Sequence, residues 1–190
     1  MKVLIFGDSI CAGSNVPDGG PGDAWPNLLP AMIPGLEILN RSVGGRPTSA
    51  VADFETELWD AGKLDAVVLA LGGNDSRDFS GAAVENAVRN IGRMVAMCVA
   101  AKVSRVVVVG PYNMNVAHWQ AGDDVTRPKR VANLVAIDAA YKVMCAQKGI
   151  EYISMYGVVP EDAMIADGVH PDSEGNEPIA RHFAHAWAKH

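Results

Sequence analysis

Cysteine is scarce in this 190-residue chain: Cys11, Cys98 and Cys145 are the only three, and none forms a CxxC pair. So small and odd a set carries no disulfide framework and suits a reducing compartment. Cys98 and Cys145 fall in apolar, helix-like stretches, where a free thiol behaves as a small buried hydrophobe. Long apolar runs are also missing. None approaches the ~18 residues of a membrane span. The N-terminal apolar run, residues 3–6, stops at Gly7-Asp8 and is too short for a signal h-region, so a cytoplasmic protein is expected. Positive charge is in deficit, with 16 Lys+Arg against 22 Asp+Glu and a net charge of −6. Binding nucleic acid or an anionic membrane surface needs a basic face, so neither partner is expected. There is no GxGxxG after a strand and no GxxxxGK[ST], which removes the usual nucleotide cradles. There is no HExxH or His-rich cluster, so no metal centre and no cofactor is expected. A G-x-S-x-G elbow is absent as well.

What is present is an apolar fraction of 49%, enough for a sizeable core without staples and too high for a disordered chain. Short Val/Ile/Leu runs at 2–6, 36–43, 66–71, 103–109 and 150–154 read as strands. They are continuous rather than alternating, which marks strands covered on both faces. Between them the spacing predicts helices over 23–32, 48–61, 80–102, 128–148 and 174–188. The helix over 48–61 begins at a Thr/Ser cap. The predicted buried stripe of 80–102 is Val84, Ala87, Ile91, Met94, Val95, Cys98 and Val99, and that of 128–148 is Val131, Leu134, Val135, Ala139 and Val143. Strand–helix alternation implies an α/β protein with a parallel sheet and helices on both faces. No linker or repeat divides residues 1–190, so a single domain is expected. Ligands of such sheets bind beyond the carboxyl ends of the strands, which directs attention to the segments that follow each strand.

Four of those segments carry chemistry. Gly7-Asp8-Ser9-Ile10 follows the first strand and would leave Ser9 in the cleft; Asp-Ser is also an ordinary turn and N-cap pair. Gly44-Gly45 follows the second strand and allows close backbone approach to a ligand, or serves as the entry to a helix capped by Thr48. Gly72-Gly73-Asn74-Asp75 follows the third; Asn74 could present an amide to a developing oxyanion, or the segment is turn chemistry with Ser76 or Ser80 as the next cap. Asp167-Gly168-Val169-His170-Pro171 places a carboxylate three residues before an imidazole, close enough to hydrogen-bond it. His118, His182, His185 and His190 lack such a neighbour; His182 and His185 are expected to face solvent. Each signal alone has a bland reading. Together they supply a nucleophile, a base, an orienting acid and oxyanion donors at one edge of a parallel sheet, which is the equipment of acyl transfer.

These four blocks, in this order, resemble the SGNH, or GDSL-type, hydrolases: Gly7-Asp8-Ser9-Ile10 (with Ile where Leu is usual), Gly45 within 40–48, Gly72-Gly73-Asn74-Asp75, and Asp167 to Pro171. The resemblance spans residues 3–188. It implies a three-layer α/β/α, flavodoxin-like sandwich with five parallel strands. It also implies a serine esterase with Ser9 as nucleophile, His170 as general base and acid, and Asp167 as its orienter. The oxyanion hole would be the backbone N–H groups of Ser9 and Gly45 with the Asn74 side chain, Gly44 being a one-residue alternative to Gly45. The substrate implied is a small-molecule ester, with short acyl groups favoured. The family resemblance also admits acetylated sugars, aryl esters, thioesters and lysophospholipids, and an acyltransferase would use the same groups. Activity is expected to rise with pH as the imidazole loses its proton. A non-catalytic binding module and a carboxylate-pair glycosidase are the remaining alternatives; Asp123-Asp124 and Glu161-Asp162 are adjacent pairs rather than carboxylates set across a cleft. Two loops flank the expected site. Residues 112–127, with Met114, His118 and Trp119, are long for a strand–helix connection and read as a pocket wall, a self-association surface or an irregular surface loop. Residues 13–26 form the other.

Overall fold

A computed structural model of the chain describes residues 1–14, 20–115 and 126–189. Among these, five strands form one sheet: β1 (Lys2–Gly7), β2 (Glu37–Asn40), β3 (Ala66–Ala70), β4 (Arg105–Val109) and β5 (Glu151–Ile153). Six helices accompany them: α1 (Ser9–Ala12), α2 (Trp25–Met32), α3 (Val51–Asp60), α4 (Ala83–Ala100), α5 (Thr126–Lys148) and α6 (Ser173–Trp187). All neighbouring strands are parallel, in the order β2-β1-β3-β4-β5. This is a doubly wound, flavodoxin-like order: the alternation of elements predicts the parallel sheet, and the family resemblance implies the flavodoxin-like sandwich. Its switch point lies between β1 and β3, where adjacent connections leave toward opposite faces and open a crevice at the carboxyl edge.

The side-chain period of two explains why the strands read as continuous apolar runs. On β1, Val3 and Ile5 face one helical layer while Leu4 and Phe6 face the other. The first layer is α2 and α6, where Trp25 meets Phe183 at a tilt and Phe183 stacks on Trp187, with ring centroids 5.1 and 5.5 Å apart. The second is α3, α4 and α5, where Phe54 meets Phe6 edge-on at 5.1 Å and Ile91, Met94, Ile137 and Tyr141 complete the core. All three cysteines are buried and free. No helix among the described residues is long and apolar enough to cross a membrane.

Several expectations from the sequence need correction. The stripe of α4 is right from Ala87 to Cys98, but Val99 lies outside it at 61% exposure. That of α5 is out of phase. Its buried residues are Leu134, Ile137, Tyr141, Met144 and Cys145, whereas Val135, Ala139 and Val143 are exposed. The second strand ends at Asn40 rather than 43, and the following helix starts at Val51 rather than 48. Thr48 does not cap it: the N-cap position is Ala50, without a side-chain bond. Neither Ser76 nor Ser80 is the cap of α4, whose N-cap position is Ala82. The Thr48 hydroxyl instead bonds Asp75 and that of Ser76 the Gly73 carbonyl.

Candidate active site

Gly7 closes β1 where the chain must turn tightly. A Cβ there would come within 2.6 Å of the Cys11 Sγ and 2.9 Å of the Ser42 Oγ, so only glycine fits. Asp8 follows as the N-cap of α1, its Oδ1 accepting the Ile10 N–H at 3.1 Å. Ser9 is thereby the first residue of a helix turn at the carboxyl end of β1, beside the switch point. The cap reading and the cleft reading of Asp8-Ser9 therefore hold together.

His170 arrives from the far end of the chain. Its Nε2 lies 2.8 Å from the Ser9 Oγ, and its Nδ1 lies 2.6 Å from the Asp167 Oδ2. The other Asp167 oxygen accepts the backbone N–H groups of Val169 at 2.8 Å and His170 at 3.0 Å. The loop thus folds back on its own carboxylate, which holds the imidazole at Nδ1 while Nε2 faces Ser9. Partial burial would raise the Asp167 carboxyl. The bonds from the His170 backbone and ring and from the Val169 N–H outweigh it and hold the group below the usual carboxylate range. Gly168 completes the turn at φ +65°.

The two glycine-bearing loops meet beside this chain of contacts. Gly45 has φ +74°, a left-handed conformation that strains any L-residue, with open space where a Cβ would be. The Asn74 Nδ2 donates to the carbonyl of Arg46, the next residue, at 3.2 Å. Arg46 is buried. Its Nη1 donates to the carbonyls of Gly7 at 3.1 Å and Arg41 at 2.6 Å, and its guanidinium sits 3.9 Å over the Phe6 ring. The end of β1 and the glycine loop are therefore stitched by one side chain. Ser76, read as a cap, instead donates to the Gly73 carbonyl at 2.6 Å and accepts from the Arg130 Nε at 3.0 Å.

A small apolar cavity of about 20 Å³ opens at the same edge. Ile10, Gly73 and Val169, each next in sequence to Ser9, Asn74 or His170, line it with Tyr112, Met114 and Leu134. Tyr112, Asn113 and Met114, at the start of the 112–127 loop, stand against it. Asn113 accepts from the backbone of Gly157 and Val159, and the Asn115 backbone N–H donates to the Gly168 carbonyl at 2.9 Å. His118, Trp119 and residues 15–19 of the other flanking loop lie outside the described residues. His182 and His185 are exposed and remote in role, the former bonded to the Ser154 carbonyl at 3.0 Å.

Three features of the site escaped the sequence reading: the burial of Asp8, the Arg46 anchor, and a bond network around Thr48 and Asp75. Asp8 is 3% exposed, and burial pushes its carboxyl up to about 6. The Ile10 N–H and the charges of His170 and Arg130 oppose that rise, while Asp75 adds to it. Because the folded-state value lies above the ordinary one, ionising Asp8 costs stability. The cost appears as pH rises from about 4 to 6 and is complete above that, on the order of 2–3 kcal/mol. Asp8→Asn keeps an acceptor for Ile10 and removes the charge. It is expected to raise Tm at pH 7.5 by roughly 5 °C and to give no gain near pH 4, measured by thermal melts at both values. An unchanged difference between wild type and variant across that range would refute the cost.

Comparison with known proteins first gives the class of fold. The chain superposes on a carbohydrate acetylesterase family member from Sinorhizobium meliloti with a TM-score of 0.82 at 19% identity, covering 99% of this chain and 97% of that one. It superposes on a putative arylesterase from Agrobacterium tumefaciens with a TM-score of 0.80 at 23% identity, covering 99% and 98%. The native M. smegmatis aryl esterase gives 0.84 at 16% identity, covering 99% and 98%. By sequence, an arylesterase from Vibrio mimicus is 25% identical over 197 residues, spanning the whole of this chain and 89% of that protein. Residues 5–177 match the GDSL-like lipase/acylhydrolase family, and the chain belongs to it. It is a carboxylic ester hydrolase.

Proposed function

We propose that this hydrolase cleaves esters of short acyl groups through a Ser9–His170–Asp167 triad and an acyl-enzyme. The observation that carries the reading is the continuous chain from the Ser9 Oγ to the His170 Nε2 at 2.8 Å and from the His170 Nδ1 to the Asp167 Oδ2 at 2.6 Å. Neutral His170 takes the Ser9 proton as Oγ attacks the ester carbonyl carbon. The negative charge that develops on the carbonyl oxygen is met by the N–H groups of Ser9 and Gly45 and by the Asn74 amide. The ester C–O bond then breaks, and His170 returns its proton to the departing alkoxide. Water repeats the sequence: His170 takes its proton, the acyl carbon transfers from Ser9 to the hydroxide, and Ser9 is protonated again. Ionised Asp167 fixes the tautomer with Nε2 free to accept and steadies the imidazolium in both halves.

The small size of the cavity, lined by Ile10 next to Ser9 and by Val169 next to His170, supports the short acyl group. About 20 Å³ accommodates little more than one water molecule or a methyl-sized group. Rates on p-nitrophenyl acetate, butyrate and octanoate test this: kcat/KM falls as the chain lengthens, and octanoate turned over as fast as acetate would contradict it. Leu134, buried on α5, lines the cavity together with Met114. Leu134→Ala is expected to raise the butyrate-to-acetate ratio of kcat/KM about tenfold, the order of one or two methylenes of pocket. It should also cost about 2–4 kcal/mol of stability from the void. An unchanged ratio in a folded variant would place the acyl group elsewhere.

A further inference from the structure

Asp75 follows the proposed oxyanion amide, and Thr48 lies three residues beyond the proposed oxyanion glycine. The structure joins them. The Thr48 N–H donates to both Asp75 carboxylate oxygens, at 3.2 and 3.0 Å, and the Thr48 hydroxyl donates to Oδ1 at 2.5 Å. The same hydroxyl accepts from the Asn90 Nδ2 at 3.2 Å, so α4 sets its direction. Thr48 is fully buried and Asn90 nearly so. With the Asn74 Nδ2 on the Arg46 carbonyl, these bonds close a ring: Arg46-Pro47-Thr48 along one loop, Asn74-Asp75 along the other, and a hydrogen-bonded bridge at each end. A proline inside the ring limits its freedom further.

We propose that Asp75 and Thr48 are positioning residues: their bond locks the Gly45 loop against the Asn74 loop and so sets the spacing of the oxyanion donors. This rests on the oxyanion reading given above. Neither residue touches substrate in this scheme. Oxyanion donors work only when aimed in advance at the place where charge develops, and a displacement of an ångström costs about a hundredfold. One bridge alone, the 3.2 Å bond from Asn74 to a backbone carbonyl, leaves the two loops free to pivot. The second, to a charged carboxylate through both a backbone and a side-chain donor, removes that freedom.

Three variants assayed with p-nitrophenyl acetate test the clamp. Thr48→Val keeps the shape and deletes the hydroxyl, and is expected to lower kcat tenfold to about a hundredfold while KM stays within about twofold. Thr48→Ser keeps the hydroxyl and is expected to restore most of kcat. Asn74→Ala alone is expected to lose about 10²–10³ in kcat, and adding Thr48→Val to it should then cost little more, because the amide being positioned is gone. Full kcat in folded Thr48→Val beside an impaired Asn74→Ala would overturn the clamp alone. So would losses that multiply in the double variant. Full kcat in Asn74→Ala would overturn the oxyanion reading itself. If Thr48→Val does not fold, Asp75→Asn keeps the shape, removes the carboxylate charge and weakens the paired bonds from Thr48. A fall in kcat at constant KM is then expected, and an unchanged kcat would overturn the proposal.

Discussion

Ser9→Ala is expected to remove essentially all ester hydrolysis, with kcat falling on the order of 10⁶-fold, as when a nucleophile is deleted from a triad that acts as a unit. The size of the loss follows from the geometry. Ser9 is the group that His170 faces through Nε2 at 2.8 Å. Deleting Oγ leaves the base without a proton to take, and only binding and oxyanion stabilisation remain. KM for p-nitrophenyl acetate should change little, because Oγ contributes little to holding the ester. The substitution removes one oxygen at the start of α1 and leaves the Asp8 cap intact, so a melt within about 2 °C of wild type is the expected control. Substantial residual turnover in a folded Ser9→Ala would mean that another nucleophile does the work.

Asp167→Asn is expected to cost about 10⁴ in kcat with little change in KM. The Asp167 carboxylate receives three bonds, from the His170 ring and from the His170 and Val169 backbone. The asparagine oxygen can keep some of these, so the loop should persist. It cannot keep all of them, because its amide group is a donor. Turned toward Nδ1, that amide favours the tautomer with the proton on Nε2, facing Ser9, and the base is then unable to accept. Because those bonds depress the Asp167 carboxyl, it stays ionised well into the acid range. Its share of stability is accordingly present at neutral pH and lost as pH falls through its lowered folded-state value. The variant should therefore lose kcat at every pH while its stability becomes less sensitive to acid. A drop of only a few fold would mean that Asp167 orders the loop without orienting the base.

The candidate site and the sheet leave local traces in the sequence. In a doubly wound sheet ligands bind beyond the carboxyl ends of the strands, and Gly7-Asp8-Ser9 and Gly73-Asn74 follow β1 and β3 at once, whereas Asp167 and His170 lie well past β5 and are marked only by their own close spacing. Strand burial on both faces also leaves a local trace, as in the runs Val3 to Phe6 and Ala66 to Ala70. The rest depends on partners distant in sequence. Thr48 looks like a cap because threonine before a helix usually is one; its true partner, Asp75, is 27 residues away and no period connects them. Asp8 reads correctly as a cap, yet its burial comes from how β1 and β3 bring their ends together. On α5 two stripes share helical spacing, and valines drew the reading to the wrong one. What selects Ile137 and Tyr141 is the sheet they cover, with Tyr141 packed against Gly72. Such pairings are properties of the assembled layers rather than of any window of sequence.

The most direct measurement is a rapid-mixing experiment with p-nitrophenyl acetate, followed by acid quench and mass analysis of the intact chain and its peptides. An acyl-enzyme mechanism at Ser9 predicts a burst of up to one nitrophenolate per chain and an acetyl group on the peptide that contains Ser9, both absent from Ser9→Ala. Turnover that Ser9→Ala retains, or an acetyl group on a different residue of the active enzyme, would contradict it.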